Sequence, residues 1–95
     1  MKISYDSRKN ARNIAERDLR FERAADLDWD SASITQDRRK NYPEPRLVAV
    51  DYLESRLHVL CFTPTEDGIR VISFRKANGR ERKRYEEATQ TSYRT

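Results

Sequence analysis

The side chains best suited to chemistry in this chain are arginines, and they are gathered rather than scattered. Between residues 68 and 87 stand seven basic side chains, Arg70, Arg75, Lys76, Arg80, Arg82, Lys83 and Arg84, against three acidic ones, Glu81, Glu86 and Glu87. That surplus of four equals the net +4 of the whole 95-residue chain, so acids and bases cancel everywhere else. A second group, Arg38, Arg39 and Lys40, precedes Tyr42 and the segment Pro43-Glu44-Pro45-Arg46. Arginine beside an exposed tyrosine neutralises phosphate and stacks on a base, the pairing that single-stranded RNA uses. The competing reading is a solvated charged surface.

Other chemistries lack their residues. No glycine-rich phosphate loop, zinc spacing or nucleophile elbow occurs. His58, the one histidine, alternates with Leu60 and Phe62 and reads as structural, so one chain cannot supply a two-histidine mechanism. Cys61, the one cysteine, lies in the apolar run 57–62, which predicts a buried thiol and excludes an intramolecular disulfide.

What remains is metal-free attack of a ribose 2′-OH on its neighbouring phosphate. That reaction needs cations on the dianionic phosphorane, a group to take the 2′ proton and one to protonate the leaving 5′ oxygen. Arg75 and Arg46, at the ends of expected strands, are the candidate transition-state cations, with a rim salt bridge as the plainer role for Arg75. Tyr85 is either a docking aromatic or a phenol near the phosphate. Arg38, Arg39, Lys40, Arg70, Lys76, Arg80 and Arg84 would hold the RNA. The general base stays open among Glu44, Tyr85 and a lysine. No metal ligand set or cofactor motif is read.

The elements that must position these groups follow from periodicity and capping. Ile3–Tyr5 predicts a short strand, and Asp6 is placed to N-cap a helix over 7–17 with apolar positions Ala11, Ile14 and Ala15. Phe21, Ala24 and Ala25 repeat the spacing, predicting a second short helix running to Leu27. Trp29 reads as an aromatic packed on a sheet. Residues 31–35 alternate as a half-buried strand. Leu47–Leu53 and Arg56–Thr63 read as antiparallel strands around a turn at Glu54-Ser55, and Asp67-Gly68 leads into a last strand at 69–75. Asn78 and Glu81 form a capping box for a helix over 79–88. Arg80 and Arg82 in its first turn oppose the helix dipole, and Arg80 and Arg84 repel at i, i+4. Such penalties point to an anionic ligand. The expected architecture is α/β (α+β): two N-terminal helices, a mostly antiparallel twisted sheet and one C-terminal helix. Residues 1–88 would form one domain, with 89–95 a flexible tail. With 36% hydrophobic and 38% charged residues the core must be thin. No signal-peptide core or membrane-length apolar run is present, which predicts a cytoplasmic protein.

The run Ile69-Arg70-Val71-Ile72-Ser73-Phe74-Arg75-Lys76-Ala77, followed by Arg80-Glu81-Arg82 and Tyr85-Glu86, resembles the C-terminal signature of the BrnT toxins. Asn13, Phe21-Glu22, Ala24 and Glu44-Pro45-Arg46 match that family more loosely. The resemblance implies a RelE-like fold and a metal-independent endoribonuclease that inhibits translation. It also implies neutralisation by a ribbon-helix-helix antitoxin, a toxin homodimer within the complex and repression of the pair's own operon. Two positions depart from the pattern. Glu16-Arg17-Asp18 replaces a Lys-His-Gly segment, putting Asp18 where glycine would take a left-handed conformation, and Asp51 replaces a strand-end glycine. The alternative is a module of the same fold that only binds RNA or antitoxin.

Overall fold

The structure is a computed structural model that describes the backbone of residues 1–93 and the side chains to Thr89. In chain order the elements are β1 (Lys2–Tyr5), α1 (Ser7–Arg17), a 3-10 helix (Phe21–Asp26), β2 (Ser33–Gln36), β3 (Leu47–Leu53), β4 (Arg56–Pro64), β5 (Gly68–Lys76) and α2 (Gly79–Tyr93). The five strands form one sheet in the order β1-β5-β4-β3-β2. β1 pairs parallel with β5 and every other pairing is antiparallel, so β3, β4 and β5 make the expected meander.

α1 starts where Asp6 accepts hydrogen bonds from the backbone N–H groups of Arg8 (2.9 Å) and Lys9 (3.1 Å). It stops at Asp18, which takes the left-handed conformation (φ 53°, ψ 40°) and donates its N–H to the Ile14 carbonyl. Aspartate is one of the few residues with a side chain that enters this region at modest cost, so the fold keeps its turn without glycine. The buried stripe of α1 differs from the expected one. Ala11 and Ala15 are exposed, while Asn10 and Asn13 are buried. Asn13 Nδ2 donates to the carbonyls of Leu19 (2.9 Å) and Phe74 (3.0 Å), and its Oδ1 accepts from Arg17. Asn10 Oδ1 accepts from the Phe21 N–H at 2.9 Å. β1 pairs with β5 only as far as Val71, so Asn13 satisfies a β5 carbonyl beyond the point where β1 ends.

The expected second N-terminal α-helix is a 3-10 helix, which leaves one α-helix before the sheet. The burial pattern gives the reason. Phe21, Ala24 and Leu27 are buried at a spacing of three, which a three-per-turn helix stacks on one face, whereas Ala25 is exposed. β2 is also corrected: all four of its residues are exposed, Ile34 by 48%, because it is an edge strand. α2 runs to Tyr93, five residues beyond the expected end, so 89–93 are helical in the backbone and the rest of the expected tail, residues 94 and 95, lies outside the described residues.

The two faces of the sheet are unequal. On one, Leu19, Phe21, Ala24 and Leu27 pack on Ala49, Leu53, Leu60, Phe62, Ile69, Val71 and Phe74. Trp29 joins this core edge-on to Phe62 and donates Nε1–H to the Ala24 carbonyl. His58 belongs to it too, buried against Phe74 with Nδ1 2.8 Å from the Arg56 carbonyl oxygen, and burial lowers its pKa. On the other face, a small cluster of Leu57, Val59 and Ala77, with Val48 and Val50, meets Tyr85 of α2. The remainder of that face carries the cations.

Alternation along β5 is broken once. Val71 pairs with Phe62 but Ser73 pairs with Cys61, so Ile72 is an extra, unpaired residue, a β-bulge. Ile69, Val71 and Phe74 therefore share the core face although Phe74 is out of step, and Arg75 emerges on the opposite side, across from Val59. At the start of β5, Gly68 lies so close to β1 that an added Cβ would sit 1.9 Å from the Lys2 carbonyl oxygen.

Asn13→Ala removes two donated bonds to buried carbonyls and is expected to destabilise the protein by about 2–4 kcal/mol. Ala15→Ser on the exposed side of α1 should stay within about 0.5 kcal/mol. Urea unfolding of the two variants checks the assignment; equal midpoints would contradict it.

Candidate nucleic-acid interface

The loop between β2 and β3 is held by its own polar side chains. The Asp37 N–H donates to the Arg46 carbonyl at 2.8 Å, closing the loop at its neck. The Asp37 side chain, only 2% exposed, accepts from Arg39 Nε at 2.9 Å and Nη2 at 2.8 Å, from the Arg39 backbone N–H and from the Tyr42 hydroxyl. The Arg39 guanidinium above all holds the Asp37 carboxyl down at about 2. Arg46 lays its guanidinium over the Tyr42 ring, 4.1 Å from the centroid, a cation–π contact that fixes both. The loop walls a cavity of about 680 Å³ that Arg38, Lys40, Tyr42, Glu44 and Arg46 line. A second groove of about 240 Å³ continues from Tyr42, Glu44 and Arg46 to Lys9 and Arg70.

Arg75 of β5 stands on the face opposite the main core, across from Val59. Its Nη1 and Nη2 donate to Glu81 Oε1 at 2.8 Å and Oε2 at 3.0 Å, and Nη1 also approaches the Lys76 carbonyl at 3.3 Å. Glu81 is simultaneously the expected capping-box residue: Oε1 accepts from the Asn78 N–H (2.9 Å), and the Glu81 N–H donates to Asn78 Oδ1 (2.8 Å). The Arg75 guanidinium is the main cause that lowers the Glu81 carboxyl to about 2. Arg39 is near enough to act electrostatically on Arg75, and Asp37, Arg46 and Arg39 all act on the Cys61 thiol of β4, whose pKa burial raises. Arg39 is thus near Arg75 and, with Arg46, near the Cys61 thiol.

The other expected residues divide. Arg70 is exposed and lines the smaller groove. Arg80 and Arg84 are exposed on α2, with Arg84 beside Glu81 and Tyr85 on a groove of about 570 Å³ between α2 and β2. Arg38 is exposed and donates to Gln36. Lys76 is not brought to the cluster: it follows Arg75 on the strand, pairs in register with His58 and acts electrostatically on that ring. Tyr85 sits against Leu57, Val59 and Ala77 and edge-on to Tyr52. Burial, then the Asp51 charge, raises its phenol pKa, a setting for a docking aromatic. Sequence reasoning missed Asp37, whose place two residues before Arg39 is an Asx-type loop signal. It also found Glu81 only as a cap.

A family model described as ribonuclease toxin, BrnT, of type II toxin–antitoxin system matches residues 5–81. The chain belongs to the BrnT family of ribonuclease toxins. This BrnT chain is therefore a ribonuclease toxin with an antitoxin partner. The matched span contains the loop 37–46, Arg75 and Glu81, and stops before Arg84 and Tyr85. No curated protein matches the chain. Among the described residues no helix is long and apolar enough to cross a membrane, and no group of three or more His, Cys, Asp or Glu side chains is placed to hold a metal ion.

Both depressed carboxyls predict the same pH response. Their folded values, about 2, lie below the ordinary 3.8 for Asp37 and 4.5 for Glu81. Their contributions are present in full above pH 4.5 and are lost as pH falls towards 2, because the unfolded chain takes up protons first. Carboxyl chemical shifts followed by NMR should give midpoints near 2 for both, and Arg75→Ala should raise only that of Glu81. Ordinary midpoints in the wild-type protein would contradict the geometry.

Proposed function

We propose that this BrnT chain is a metal-independent endoribonuclease that cuts single-stranded RNA by attack of the 2′-OH on the adjacent phosphate. The observation that supports this reading is a set of arginines each held by a partner, Arg39 on Asp37, Arg46 over the Tyr42 ring and Arg75 on Glu81, with Arg39 near enough to act electrostatically on Arg75. The new bond joins the 2′ oxygen to phosphorus while the bond from phosphorus to the 5′ oxygen breaks. One product ends in a 2′,3′-cyclic phosphate and the other begins with a 5′-hydroxyl. The 2′ proton leaves to a base, for which Glu44 lies in the same groove as Arg46 and Lys9, and a proton is delivered to the departing 5′ oxygen. Arg75 and Arg46 stabilise the charge that builds on the phosphorane. Tyr42 offers a stacking surface, while Arg38, Lys40, Arg70, Arg80 and Arg84 neutralise flanking phosphates. Tyr85 anchors α2.

Purified protein should cut single-stranded RNA in EDTA and leave cyclic phosphate ends. Arg75→Ala should lower the single-turnover rate by about 10²–10³-fold with a smaller loss of affinity. Arg80→Ala with Arg84→Ala should weaken binding and flatten its salt dependence. Loss of cleavage in EDTA sinks the mechanism, and binding without cleavage under any condition favours the module that only binds.

The same reading extends to the partner. A ribbon-helix-helix antitoxin would lay an acidic segment over Arg80 and Arg84, cover the RNA path and hold a toxin dimer in the cytoplasm. Only Glu81 and Tyr85 of α2 are partly buried among residues 79–89, and packing rather than propensity stabilises a helix of this kind. Amides of 79–88 should exchange quickly in the free toxin and slowly in the complex, and antitoxin affinity should fall with salt. Protection equal to that of β5 in the free protein contradicts the expectation.

A further inference from the structure

We propose that Glu81 is a positioning residue for RNA cleavage: it clamps one edge of the Arg75 guanidinium and so aims the other edge at the scissile phosphate. The inference rests on the reading that Arg75 acts in the transition state. It concerns a carboxylate on a face otherwise suited to phosphate, where a negative charge weakens RNA binding.

The hydrogen bonds apportion the guanidinium. Its five N–H groups form two forks, one between Nη1 and Nη2 and one between Nη2 and Nε. Glu81 fills the first fork with both oxygens, at 2.8 and 3.0 Å, and the remaining Nη1–H is directed to the Lys76 carbonyl at 3.3 Å. The Nε–H and the second Nη2–H have no acceptor among the described residues, so the side fork is the one left for a phosphate. A carboxylate gripping both terminal nitrogens also fixes the plane of the group, which a single contact would not do.

Capping alone does not require this arrangement. The helix start needs one oxygen, Oε1, which receives the Asn78 N–H at 2.9 Å. Oε2 is given to Arg75 alone among the described contacts. Glu81 therefore joins the first turn of α2 to a strand-end arginine, and the plane of that arginine follows from where the helix begins. Preorganisation of this kind raises rate rather than affinity, since the fork is set before the phosphorane forms.

Glu81→Gln separates positioning from plain structure. Glutamine keeps an oxygen for the Asn78 N–H but puts an NH₂ opposite an Arg75 donor and removes the charge. Single-turnover cleavage should fall about 10- to 100-fold, while RNA binds as well as or more tightly than to wild type and the melting temperature moves by only a few degrees. Cleavage as fast as wild type, or faster because Arg75 has been released, overturns the proposal. If Arg75→Ala itself leaves the rate unchanged, the underlying reading fails and this one with it. A slow Arg75→Ala beside a fast Glu81→Gln removes only the role of Glu81. A second measurement needs no variant. In the wild-type protein bound to a 2′-O-methyl oligonucleotide, which lacks the nucleophile, the Arg75 Nη groups should keep the slow rotation expected of a bidentate clamp. Free rotation in that complex would show that Glu81 does not hold the group when RNA is bound, and would overturn the proposal.

Discussion

The bulge at Ile72 is the constraint on which the working face depends. Ile69 and Val71 point into the core, and strict alternation would send Arg75 after them. One unpaired residue reverses the phase, so that Phe74 fills the core and Arg75 reaches the other side. A guanidinium in the core would face a large desolvation cost, and Phe74 on the open side would forfeit its burial. The bulge therefore serves the fold and the candidate site together, and bulges are common beside functional sites.

A thin core leaves space for that site. The whole run Leu57–Thr63 of β4 is buried, so this strand carries much of the packing for both faces. One face is closed by the 3-10 helix and its neighbours, whereas α2 closes the other only around Tyr85. The cations brought to the open part are held by specific partners: Arg39 by Asp37, Arg46 by the Tyr42 ring, Arg75 by Glu81. On the proposed reading each partner fixes a side chain that would otherwise lose rotamer freedom when RNA binds, and the two carboxylates offset part of the mutual repulsion. The arginines on α2 stay in solvent, where screening makes their repulsion small.

Sequence pattern revealed those features that depend on local rules. Asp6 and Asn78 cap their helices as their types demand, Asp18 occupies the left-handed position, and the strands of the meander fall where their alternation placed them. It failed where a distant partner decides. Asn10 and Asn13 outrank the alanines of α1 because Phe21 N–H and Phe74 C=O need partners, and nothing local to α1 reveals that need. The 3-10 helix was readable from Phe21, Ala24 and Leu27 at intervals of three, had Leu27 been weighted above Ala25. The bulge was equally readable, since Ile69, Val71 and Phe74 cannot share a face at a period of two. The grip of Glu81 on Arg75 was hidden because a capping box already explained the glutamate.

The two departures from the family pattern bear on whether the site can work, and both are absorbed where they stand. Asp18 takes the glycine conformation and keeps the closing hydrogen bond to Ile14. Asp51, fully buried in β3, accepts a hydrogen bond from Ser31 at 2.7 Å, which satisfies an atom that burial would otherwise make costly. None of the hydrogen bonds or ion pairs that fix Arg39, Arg46, Arg75 and Glu81 involves either residue. Arg17, where the resemblance implies a histidine, donates to Asn13 Oδ1 and so supports the amide that holds Phe74. On that resemblance a permanent cation stands in place of a titratable ring at a position tied, through Asn13, to Phe74, the residue before Arg75. A histidine there would make that tie depend on pH near neutrality, whereas arginine keeps its charge at every physiological pH.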